Sequence, residues 1–92
     1  ETIYLQGFQS DLIDRTVDKL IDLEEARATR DLAELQQRLI AFEQTYQLAS
    51  EEFYARYEAG QLEDSADFME WSAFYDMHRS AQQYLAWLRG DA

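Results

Sequence analysis

A chain of 92 residues with no proline and only three glycines, Gly7, Gly60 and Gly90, carries almost nothing that interrupts a helix. Two of those glycines stand where helical patterns stop. Ser10 reads as an N-cap, with Asp11 and Asp14 in the first turn where carboxylates favour the helix dipole, and no breaker follows until about Ala49. Within that span Ile13, Val17, Leu20, Ala28, Leu32, Leu35, Leu39, Phe42 and Tyr46 keep a helical spacing. Glu24 to Asp31 is nearly all polar, so the helix is expected to be thin, exposed or bent there. A helix of about 38 residues runs about 57 Å, whereas a compact domain of this size has a radius of gyration of about 12 Å. Either the helix breaks near residues 24–31, or another chain covers its protruding end. The second is favoured, with a homodimer or an unlike partner as the cover.

Ser50 is expected to cap a short second helix, with Glu51 and Glu52 in its first turn, Phe53, Tyr54 and Tyr57 as anchors, and Gly60 at its end. A polar turn around Leu62 leads to Ser65 or Asp67, either of which suits the cap of a third helix running to about Arg89. Along that helix Phe68, Trp71, Phe74, Tyr75, Met77, Ala81, Tyr84, Leu85 and Leu88 cover more than one face, and such a helix needs two partners. Eleven of the thirteen aromatics lie from Phe42 to Trp87, which puts the core in the second half of the chain. The expected fold is all-α: a long N-terminal helix, a short middle helix and a long C-terminal helix forming a helical hairpin or bundle, dimeric. Glu1-Thr2-Ile3-Tyr4-Leu5-Gln6-Gly7 fits the E-x-x-Y-x-Q-G pattern of a viral processing-protease site, so residues 1–9 are read as an added expression leader and 10–92 as a single helical domain.

Charge narrows the partners. Eight Lys and Arg against nineteen Asp and Glu leave −11, on a chain that is 47% hydrophobic and so too apolar for a disordered acidic tail. Phosphate backbones and anionic bilayers repel such a chain, and a cationic protein complements it. The absence of Cys excludes disulfides and thiolate chemistry and suits a reducing compartment, the cytoplasm. Asp11, Asp14, Asp18, Asp22 and Glu25 recur every three or four residues and form an acidic stripe down one helix face. That stripe is either a solvated face relieved by Arg15 and Lys19 or a docking surface for a basic protein. Its like-charged neighbours cost a few tenths of a kcal/mol per pair, which pure solvation does not require.

The expected partner-binding residues are Asp14, Asp18, Asp22 and Glu25, with Phe68, Trp71, Tyr75 and His78 as aromatic candidates. Trp71, Tyr75 and Trp87 serve equally well as core, since large rings fill small cores and dominate binding hot spots alike. No catalytic, metal or cofactor residue is expected. His78 is the one histidine, which leaves no Glu-x-x-His pairs for a carboxylate-bridged metal and no second activating base. Ser72 and Ser80 lie on a helix without a strand-turn-helix elbow, Asp67 and Glu70 read as dipole partners of helix three, and no Gly-rich phosphate loop occurs.

The run from Ser50 to Asp64, with Gly60-Gln61-Leu62, then Asp67-Phe68-Met69-Glu70-Trp71 and Tyr75-Asp76-Met77, resembles a family of short acidic helical proteins of bacteria and archaea. Their pattern is roughly G-x-L-x-D-x-x-D-F-x-E-W, usually after a long polar helix. The matching positions are Phe53, Gly60, Leu62, Asp64, Asp67, Phe68, Glu70, Trp71, Tyr75 and Met77. Members are regarded as the antitoxin half of toxin–antitoxin modules, so the resemblance implies a small basic toxin as partner. Direct DNA contact is not expected, because the chain has no basic segment. Two competing readings are a structural or adaptor homodimer with no toxin, and an inhibitor that mimics nucleic acid through regularly spaced carboxylates.

Overall fold

The computed structural model describes the backbone of residues 2–91, with side chains from Ser10 onward. Glu1, Ala92 and the side chains of residues 2–9, on which the leader reading falls, lie outside the described residues. Three helices and no strand make up those residues: α1 (Thr2–Tyr46), α2 (Ser50–Glu58) and α3 (Ala66–Leu88). The all-α hairpin expected from the sequence is the observed one.

Continuity of α1 is the dominant feature. Forty-five residues at 1.5 Å each give about 68 Å, and the longest dimension of the molecule is 68 Å against 22 and 21 Å across. The helix is therefore straight from end to end, and the break considered near residues 24–31 does not occur. Ser10 is likewise not an N-cap: it lies inside α1, because nothing in the preceding residues stops the helix from extending back to Thr2. The radius of gyration, 20.1 Å, is far above that of a compact domain.

At its C-terminal end α1 stops at Tyr46, three residues short of Ala49. Gln47 takes a left-handed conformation (φ 54°) and closes the helix by donating its side-chain Nε2 to the Gln44 carbonyl at 2.7 Å. Ala49, not Ser50, occupies the cap position of α2. Glu43 does the capping from the preceding helix, its Oε2 accepting the Ser50 backbone N–H at 2.9 Å. Ser65 caps α3 as expected, its hydroxyl accepting the Phe68 N–H at 3.1 Å. Gly60 (φ 74°) and Gly90 (φ 76°) end α2 and α3 in the left-handed region that glycine enters without steric cost.

α3 runs antiparallel to α1. Tyr46 near the end of α1 donates its hydroxyl to Asp67 at the start of α3, and Tyr84 near the end of α3 donates to Glu24 at 2.6 Å. α3 thus covers α1 from about residue 24 to 46. The polar stretch reads as thin because only Ala28 on it is buried. Leu39, Phe53 and Trp71 form the core, with Phe42, Leu48, Tyr54, Tyr57, Leu62, Phe68, Phe74 and Tyr75 packed on it. Trp71 stacks on Phe53 (centroids 3.8 Å apart, 3° between planes) and on Phe42 (5.5 Å, 11°). Its indole N–H donates to the Ser50 hydroxyl at 3.0 Å inside this core.

Candidate partner-binding surface

Because α3 ends beside Glu24 and Glu25, residues 10–23 of α1 project as an arm. Its two faces differ sharply. On one face Asp14, Asp18 and Asp22 are exposed, and none has a cationic group within 4 Å among the described residues. On the other, Leu12, Ile13, Val17, Leu20 and Leu23 are 44–67% exposed, an unusual length of aliphatic surface for an isolated helix face. Arg15 pairs with Asp11 at 2.7 Å on the exposed surface, a contact worth little on its own.

The acids of the hairpin body are differently placed. Four tyrosines each hold a carboxylate: Tyr46 on Asp67, Tyr54 on Asp76 and Tyr57 on Asp64, both at 2.7 Å, and Tyr84 on Glu24. An ionised acceptor makes each of these a charge-assisted bond, which favours the protonated phenol. The Asp76 bond pushes the Tyr54 hydroxyl up to about 12, and the carboxylates beside Tyr46, Tyr57 and Tyr84 raise those phenols too. Glu24 accepts two bonds from Arg27, at 2.8 and 3.0 Å, as well as the Tyr84 hydroxyl. The Arg27 bonds first and the Tyr84 bond second pull its carboxyl down to about 2.

The eight expected partner residues therefore separate. Asp14, Asp18 and Asp22 share the exposed face of the arm. Glu25 stands at its base, half-buried, 3.6 Å from Arg89 of α3. Phe68 and Tyr75 are half-buried against the core, Tyr75 with its ring 4.6 Å from that of Tyr54. His78 is half-buried on α3, away from the arm. Trp71 is wholly buried, so it is a core residue and leaves the candidate set: two ring stacks and the Ser50 hydroxyl already occupy it. Sequence reasoning missed the apolar face of the arm as a surface in its own right. Its signal was present in the spacing of Ile13, Val17 and Leu20, which by itself establishes only helical periodicity.

No group of three or more His, Cys, Asp or Glu fit to hold a metal occurs among the described residues, and none of their helices is long and apolar enough to cross a membrane. Fold and surface together define a three-helix antiparallel hairpin with a projecting, two-faced helical arm. Compared with known protein families, with characterised proteins and with solved structures, the chain matches none.

Proposed function

We propose that this protein is a non-catalytic acidic binding protein, the antitoxin that captures and neutralises a small basic toxin. One observation carries the reading: among the described residues, Asp14, Asp18 and Asp22 stand exposed and without cationic partners on one face of an arm that α2 and α3 leave bare. Like charges at i, i+4 weaken a helix by a few tenths of a kcal/mol per pair, and a cationic partner turns that cost into attraction. In the body, by contrast, Glu24, Glu25, Asp31, Glu43, Glu52, Asp64, Asp67 and Asp76 are held by tyrosine hydroxyls, arginines or a helix N-terminus. Other body acids, Glu34 and Glu70 among them, also lack such contacts among the described residues, but only Asp14, Asp18 and Asp22 line up one turn apart on one helix face.

The test is co-expression and binding with the basic product of the gene adjacent to its own. Capture of that product, with loss of its toxicity in cells, is the expected result. The triple variant Asp14→Lys, Asp18→Lys, Asp22→Lys should slow association about 10-fold or more at low salt, the difference shrinking as salt rises. Equal association rates for the two proteins at low salt would remove the stripe from the binding surface. Indifference to the adjacent product would leave the adaptor reading.

A further inference from the structure

A second surface lies on the opposite face of α1. Between α1 and α3 runs a groove of about 600 Å3 lined by Asp31, Glu34 and Leu35 on one side and Phe74, Met77 and Ala81 on the other. Eighteen residues are five full turns of a 3.6-residue helix. Ile13 and Asp31, Val17 and Leu35, and Leu20 and Arg38 therefore share azimuths along a straight α1, about 27 Å apart. The aliphatic ridge of the arm and the groove of the body are two patches on one face of one helix. Glu24 and Arg27, ion-paired at 2.8 Å, separate them, and Arg27 reaches Asp31 at the groove's edge at 3.5 Å.

We infer that the occupant of the groove is the arm of a second copy of this chain, in an antiparallel two-fold dimer. A ridge and a groove on one face are self-complementary only when the two helices run in opposite directions, so that each arm lies in the partner's groove. A parallel pair sets ridge on ridge and leaves both grooves unfilled. A two-fold at the level of Ala26 puts residues i and j opposite one another when i + j is about 52. Ile13, Val17 and Leu20 then lie along Leu35, Phe74, Met77 and Ala81 of the partner subunit. Lys19, which has no carboxylate within 4 Å among the described residues, comes beside Glu34 of the partner subunit. Arg27 and Glu24 meet their counterparts of opposite sign at the axis. Because the two-fold repeats every contact, each chain contributes both its ridge and its groove to the interface. Asp14, Asp18 and Asp22 stay on the outer face, so this inference goes beyond the partner-capture reading and does not depend on it.

The chain has no cysteine, which makes site-specific cross-linking clean. The full chain, whose protomer is 10.9 kDa, should sediment as a dimer at micromolar concentration. The double variant Lys19→Cys, Glu34→Cys should give a covalent dimer with a short bis-maleimide, and neither single variant should. Val17→Glu on the ridge and Met77→Glu in the groove change exposed residues, so helix content should stay unchanged while each weakens the dimer about 100-fold. A monomer at all concentrations overturns the inference. So does a dimer that cross-links through Lys19→Cys alone, which places the arms in parallel, or one that the double variant fails to cross-link. Each of these results leaves the stripe's capture of a basic partner to be judged by its own assay.

Discussion

Ser50 offers the sharpest test of how this core is held. The residue is 2% exposed, and its hydroxyl accepts the indole N–H of Trp71, itself fully buried, at 3.0 Å. Replacing Ser50 by Ala removes the acceptor and leaves that N–H in a dry aromatic stack, with no other polar side-chain partner. The net value of a neutral hydrogen bond is about 0.5–1.5 kcal/mol, but an orphaned buried donor costs about 1–3 kcal/mol. Ala is a slightly better helix former than Ser, which returns a few tenths. The expected loss is therefore about 1–2 kcal/mol, out of roughly 5–14 kcal/mol for a domain of this length. In a chain of this size each kcal/mol is worth about 4–8 °C, so the melting temperature should fall by about 4–16 °C.

A helix cap lost at Ser50 would cost a similar amount, about 1 kcal/mol, so the single variant alone does not separate the two roles. A double-mutant cycle with Trp71→Phe does. If the hydroxyl serves the indole, Ser50→Ala costs almost nothing once the indole N–H is gone, and the coupling energy is about 1 kcal/mol or more. If it caps α2, the cost persists unchanged in the Trp71→Phe background. Urea unfolding followed by circular dichroism measures all four corners. A coupling below about 0.3 kcal/mol, the additivity limit of independent sites, would refute the buried bond as the reason for Ser50.

Alkaline unfolding should follow the tyrosines. Their folded pKa values lie above the unfolded value near 10, so their contribution is complete below pH 10 and is lost as pH rises through about 12, the value of Tyr54; phenolate absorbance and circular dichroism should change together, and full ionisation near pH 10 in a folded protein would contradict it. At the acid end, Glu24 is depressed, so its contribution is present above the unfolded carboxylate value of about 4.3 and fades as pH falls toward about 2. Carboxyl NMR titration should show Glu24 still ionised at pH 3, and Tyr84→Phe should raise its midpoint. Gly60→Ala should destabilise by about 1–2 kcal/mol through its left-handed φ of 74°, although a Cβ there meets nothing within 4 Å. A loss below about 0.3 kcal/mol in urea unfolding would show that α2 ends without that backbone.

What the sequence made legible was periodicity, and what it hid was partnership across elements. The absence of proline and the 3–4 stepping of Leu32, Leu35, Leu39, Phe42 and Tyr46 are local facts, and the helices they imply are present. Gly60, Gly90 and Ser65 act as expected because a left-handed stop and a serine cap need only immediate neighbours. Ser50 misled because a serine before two glutamates looks like a cap, while its actual partner is 21 residues away. The polar stretch 24–31 suggested a break, yet intrahelical pairs of Arg27 with Glu24 and Asp31 and the burial of Ala28 hold it continuous. The acidic stripe was visible by spacing alone. Which acids of the body are held required knowing where Tyr46, Tyr54, Tyr57 and Tyr84 point, and no periodicity encodes that.

That division of the carboxylates makes ionic strength a decisive variable, because salt acts on one group and largely spares the other. A chain at −11 repels itself, and raising salt from 0.01 to 0.15 M shortens the screening length from about 30 to about 8 Å. Repulsion along Asp14, Asp18 and Asp22, at contact distances of one turn on an exposed face, is screened in that range. The phenol–carboxylate bonds at 2.6–2.7 Å are short-range and largely escape screening. Added NaCl should therefore raise the melting temperature of the free protein while lowering its affinity for a basic partner, with the association rate carrying most of the loss. The neutral triple variant Asp14→Asn, Asp18→Asn, Asp22→Asn should show a smaller gain in melting temperature, because its stripe no longer repels. A melting temperature that falls with salt would mean that exposed ion pairs such as Arg15–Asp11 and Arg56–Glu52 outweigh the stripe's repulsion. The stripe would then carry no stored repulsion for a cationic partner to relieve.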